Sequence, residues 1–129
     1  MPGRESLLPK DWFEKGAKDL KRVEALLALD DLEGAGFHLQ QAAEKYLKGY
    51  LLGQGWQLKR THDLEDLLND AVTYNANFES FRAACQFATE FYIEQRYPVP
   101  ESPPPSRKRL EEVVQAIQRM ITLILRETQ

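Results

Sequence analysis

His38, Gln41, Lys45 and Lys48 follow one another at spacings of three, four and three residues. On an α-helix that rhythm places an imidazole, an amide and two ammonium groups along one side, opposite the stripe that faces the core. A row of this kind attracts phosphate. It also reads as an ordinary solvated face on which Glu44 and Lys48 form an i,i+4 ion pair, and spacing alone leaves both readings open. Thr61-His62-Asp63 stands where a further helix should open. Free N–H groups at a helix start favour an anion, and His62 is a candidate base there, although Thr61 or Asp63 as a plain N-cap accounts for much the same pattern. Arg96, flanked by Tyr92 and Tyr97, offers forked donors beside two flat rings, a compact way to hold a phosphate and stack a base. An arginine in a last helical turn is equally explained by the helix dipole.

Other chemistries find little support. Metal centres in helical bundles use Glu-x-x-His or His-x-x-x-His spacings, and neither His38 nor His62 stands in one. No metal and no cofactor are therefore expected. Cys85 is the single cysteine; with no neighbouring base it reads as a small core residue, and it cannot form an intramolecular disulfide. Gly53-Gln54-Gly55 matches no phosphate-loop spacing and reads as a helix terminator. Lys59-Arg60 and Arg107-Lys108-Arg109 add positive charge at two helix entrances.

The elements that must position these groups are all helical, since three-and-four periodicity runs nearly throughout and strand-like alternation is missing. The first helix is expected from Asp11, with Glu14 in capping-box spacing and Trp12, Gly16, Leu20, Val23 and Leu27 on its apolar face. Asp30 and Glu33 repeat that spacing, so a second helix should run to about Leu52, burying Leu32, Ala35, Leu39, Ala42, Ala43, Tyr46, Leu47 and Tyr50. A short helix follows from Thr61 or Asp63 with Leu64, Leu67, Leu68 and Val72 inside. A fourth is expected over about residues 78–95, with Phe78, Phe81, Ala84, Cys85, Ala88, Phe91 and Tyr92 on its apolar face. The five prolines of residues 98–105 predict an extended crossover, after which Ser106 caps a last helix. Its stripe is Leu110, Val113, Val114, Ile117, Ile121, Ile124 and Leu125.

A chain of 129 residues suits one domain over residues 1–129. The formal charge of -3 and pI near 5.4 disfavour a generally basic nucleic-acid coat, so contact with RNA would need a local patch. No apolar run approaches the roughly 18 residues of a membrane span, and no apolar leader opens the chain. A cytoplasmic protein without a membrane partner is expected.

Gln40-Gln41-Ala42-Ala43-Glu44-Lys45 with Leu47-Lys48, then Thr61-His62-Asp63-Leu64, then Arg96-Tyr97-Pro98 after an aromatic-rich helix resemble, in order, the landmarks of the HEPN domain family. The resemblance spans about residues 10–126. It implies an up-and-down bundle of four to five helices that pairs as a homodimer with a cleft between subunits. It further implies a nucleotide or polyphosphate ligand and a small nucleotidyltransferase partner, as in a toxin–antitoxin pair. The ribonuclease branch of that family carries a histidine four to six positions after the arginine. Here Arg96 is followed by Tyr97, Pro98, Val99, Pro100, Glu101, Ser102 and Pro103, and no histidine occurs after His62. The pattern therefore resembles the non-catalytic, nucleotide-binding branch, with Arg96, Tyr97, Tyr92, Lys45, Lys48 and His62 as its candidate contacts. A ribonuclease toxin using Arg96 and His62, and a helical protein–protein adaptor, are the alternatives.

Overall fold

The computed structural model describes residues 5–96 and 106–128, with the side chains of residues 91–96 excepted. Tyr97 and the expected proline crossover over residues 98–105 lie outside the described residues. So do the side chains of Phe91, Tyr92 and Arg96. What is described is an all-α, up-and-down bundle: α1 (Pro9–Ala28), α2 (Leu32–Gly53), α3 (Leu64–Tyr74), a 3-10 turn η1 (Ala76–Phe81), α4 (Arg82–Arg96) and α5 (Arg107–Thr128).

Local chemistry sets the helix ends. α1 begins at Pro9, two residues before the expected Asp11, because a proline at the first helical position needs no N–H partner and already has a helical φ. The Asp11 carboxylate instead accepts from Ser6 Oγ at 2.6 Å. At the other end Asp30 adopts φ +60°, while its N–H bonds Leu27 O and the Asp31 N–H bonds Leu26 O. That is a Schellman ending with aspartate where glycine is usual. The N-cap of α2 is consequently Asp31, whose Oδ1 accepts from Gly34 N at 2.9 Å, and not the expected Asp30. Gly55, at φ +86°, closes α2 through the same pair of bonds, Gly55 N to Leu52 O and Trp56 N to Leu51 O.

Asp63 caps α3 and Ser106 caps α5 through Arg109 N at 3.0 Å. Asn75 caps η1, and the tight turn aligns Phe78 and Phe81 at i,i+3 so that both point inward. Residues 78–81, expected as the first turn of the fourth helix, thus belong to this 3-10 segment.

α2 is the hub. It packs against α1 on one side and α3, α4 and α5 on the others, whereas among the described residues α1 packs chiefly on α2 and is tied to the start of α5 by Arg107 Nη2, which donates to the Leu27 carbonyl at 3.1 Å. Thirteen of the 22 residues of α2 are buried, which is why its apolar and polar rows alike are covered. The α1–α2 pair closes over two glycines: a Cβ on Gly16 would lie 2.7 Å from the Tyr46 ring, and one on Gly49 would lie 2.7 Å from the Phe13 ring. On α5 the inward row is Leu110, Val113, Val114, Ile117, Met120, Ile121 and Ile124. Leu125, expected inside, is 38% exposed, and Met120 takes the heptad position that the core requires.

Candidate functional site

Two buried carboxylates organise the polar side of α2. Asp19, on the apolar face of α1 and only 1% exposed, accepts from Arg22 Nη1 at 3.0 Å, His38 Nδ1 at 2.9 Å and Lys45 Nζ. Burial by itself pushes the Asp19 carboxyl up, but the hydrogen bonds from Lys45, His38 and Arg22 outweigh it and hold the group below its ordinary value. Glu44 forms the second centre. Its Oε1 accepts from Gln40 Nε2 at 3.1 Å and His62 Nδ1 at 3.0 Å, and its Oε2 from Lys48 Nζ at 2.9 Å. Gln40 also donates to the His62 carbonyl at 2.9 Å and accepts from Gln41 Nε2 at 2.6 Å.

The strip is therefore not an ordinary solvated face, since its charged groups are largely covered. His38 and Lys45 are turned under α1 by Asp19, and Lys48 is 5% exposed beneath α1 and the connection that precedes α3. The i,i+4 pair of Glu44 and Lys48 exists, but as a buried pair with side chains 7% and 6% exposed. Buried charge needs full partnership, and no buried side-chain N or O atom among the described residues lacks a hydrogen bond.

Around this frame runs a trough centred on Trp12. The indole N–H donates to the Ser6 carbonyl at 2.7 Å, and Lys48 Nζ lies 5.7 Å from the ring centroid, within cation–π range. One cavity of about 200 Å³ has Lys48, Lys59, Arg60 and His62 among its walls. A second, of about 220 Å³, has Lys15 and Lys45. Trp12 and Glu5 line both. Lys59 pairs with Asp70 at 2.9 Å and Arg60 with Glu5 at 3.6 Å, both at exposed positions where pairing is weak and readily exchanged. Burial pushes Asp70 up, but the Lys59 and Trp56 donors bring it below its ordinary value, so it stays an anion that positions Lys59.

Of the residues nominated from sequence, Lys45, Lys48 and His62 meet at this trough. Arg96, Tyr92 and Tyr97 fall outside the described side chains, so they are not placed relative to it. Sequence reasoning missed Asp19, Trp12 as a wall, the bonds of Gln40, and the bond from His62 to Glu44. Asp19 carried a signal: it lies three residues after Gly16 and four before Val23, a charge set into the apolar stripe of α1.

The arrangement can grip an anion next to a flat aromatic ring. His62, its side chain 53% exposed and its Nδ1 fixed by Glu44, keeps its ring at the rim. Cys85 is fully buried and desolvation pushes its thiol up to about 12, which makes it inert as a nucleophile. No group of three His, Cys, Asp or Glu residues suited to a metal ion occurs among the described residues. A larger, open groove of about 570 Å³ lies between η1 and α5, lined by Phe81, Leu123, Arg119 and Arg126 among others. It draws on none of the residues nominated from sequence, and it carries two arginines.

The HEPN domain family model matches residues 9–128. The crystal structure of TT1696 from Thermus thermophilus is similar at 30% identity with a TM-score of 0.77, covering 94% of this chain and 98% of that one. No curated protein matches the chain.

Proposed function

Because this chain belongs to the HEPN domain family, we propose that it is a non-catalytic nucleotide-binding module, working as a homodimer with a small nucleotidyltransferase partner in a toxin–antitoxin-like pair. The observation that carries this reading is the Trp12 trough. An indole that lines two lysine-bearing cavities supplies a stacking face for a base and cations for its phosphates. Lys45 and Lys48 enter from the α2 side, His62, Lys59 and Arg60 from the loop that precedes α3. Their carboxylate partners Asp19 and Glu44 hold the lysines of α2 in place before any ligand arrives, which lowers the ordering cost of binding.

The module presents a nucleotide and leaves chemistry to its partner. That division fits the lack of a histidine after Arg96. The family resemblance adds Arg96, Tyr92 and Tyr97 to the proposed contact set. Among the described residues no helix is long and apolar enough to cross a membrane, and the cytoplasm is the proposed setting. Calorimetric titration with ATP, GTP and their diphosphates tests the reading. Binding of at least one of them is expected, and no heat from any, with or without the partner, overturns it. Cleavage of tRNA or mRNA that is lost in Arg96→Ala would replace it with the ribonuclease reading.

A further inference from the structure

We infer that Glu5 is a built-in competitor for the trough, a carboxylate occupying the position that the phosphate of a nucleoside polyphosphate takes when ligand binds. The inference rests on the nucleotide reading above and adds regulation to it. Three observations carry it. First, Glu5 lines both cavities that Trp12 lines, so a ligand in either one meets its side chain. Second, its Oε1 lies 3.6 Å from Arg60 Nη2, and Arg60 is a forked donor on the same wall as Lys48, Lys59 and His62. A carboxylate and a phosphate satisfy such a guanidinium in the same way.

Third, Glu5 is delivered there by its neighbour. The Ser6 carbonyl accepts the indole N–H of Trp12 at 2.7 Å, while the Ser6 hydroxyl donates to Asp11 at 2.6 Å and accepts from Leu8 N at 3.0 Å. The segment ahead of α1 is thus pinned onto the ring that forms the trough wall, with the carboxylate at its mouth. The Arg60 and Glu5 side chains are 63% and 41% exposed, so the contact is loose enough for a multiply charged phosphate to displace it. Ligand entry then exchanges one anion for another on Arg60, and the affinity observed is reduced by the fraction of time that Glu5 is in place.

The test is calorimetric titration of the full chain with Mg-free ATP and with inorganic triphosphate, comparing wild type, Glu5→Gln, Arg60→Ala and the Glu5→Gln/Arg60→Ala double variant. Unchanged urea midpoints show that the surface substitutions leave the fold intact. The expected result is that Glu5→Gln binds both probes about three-fold or more tightly than wild type, that Arg60→Ala binds them more weakly, and that Glu5→Gln gives no gain when Arg60 is already removed. Equal or weaker binding by Glu5→Gln, with wild type binding ATP normally, overturns this inference and leaves the nucleotide reading standing. Failure of both wild type and Glu5→Gln to bind either probe overturns the nucleotide reading itself and this inference with it.

Discussion

Asp19 and Glu44 each gather three donors on a helix pair that would otherwise bury unpaired charge. Removing one such partner strands the others, at a typical cost of about 3 kcal/mol. Asp19→Asn should lose about that much at pH 7, read by urea unfolding. The sign with pH follows from the lowered Asp19 carboxyl. Its contribution is present above the ordinary value of 3.8 and is lost as pH falls through the lower folded value. The gap between wild type and variant should accordingly narrow as pH falls below 3.8. Cys85 gives a second residue-scale expectation: with its thiol pushed up to about 12, it should resist alkylation at pH 8 in the native state and react once urea unfolds the chain. That Lys45 and Lys48 share one side of α2 was legible in the sequence, because helical spacing fixes it. Their burial was not, since it depends on α1 and on the loop ahead of α3 folding over that side, which no single-helix pattern encodes.

At the scale of the element, α1 and α2 are held by close approach at Gly16 and Gly49 and by the Asp19 cluster. Gly16→Ala and Gly49→Ala would each gain about 1 kcal/mol of helix propensity. The added methyl meets a ring atom at 2.7 Å, and overpacking of that kind costs about 1–3 kcal/mol, so both variants should be destabilised on balance. Gly53→Ala provides the contrast, because its Cβ would find only Pro9 Cγ at 3.6 Å, and it should unfold at the same urea concentration as wild type or a slightly higher one. The five helices were legible from periodicity, and Asp63 and Ser106 from their capping positions. The misplaced starts have local causes. Pro9 opens α1 early, Asp30 spends itself ending α1 in the left-handed region, and Asn75 draws residues 76–81 into a tighter turn. In each case a backbone preference at one residue overrode a capping-box spacing or a helical period that was also present.

For the whole molecule, the bundle leaves α1 packed chiefly on α2 among the described residues, and the trough lies along that pair beside the loop ahead of α3. A ligand held there would tie α1, α2 and the loop together and should raise the thermal midpoint as its concentration rises. The family was readable from the order of three weak motifs, and the trough was not, because Trp12, Lys48 and Arg60 are far apart in the chain and meet only in the fold. The measurement that bears most directly on the account is calorimetric titration of ATP into wild type, Trp12→Leu, and the Arg119→Ala/Arg126→Ala double variant. The account predicts that Trp12→Leu weakens ATP binding about ten-fold or more, while the double variant, altered only in the groove between η1 and α5, binds like wild type. Loss of binding in the double variant together with wild-type affinity in Trp12→Leu would contradict it.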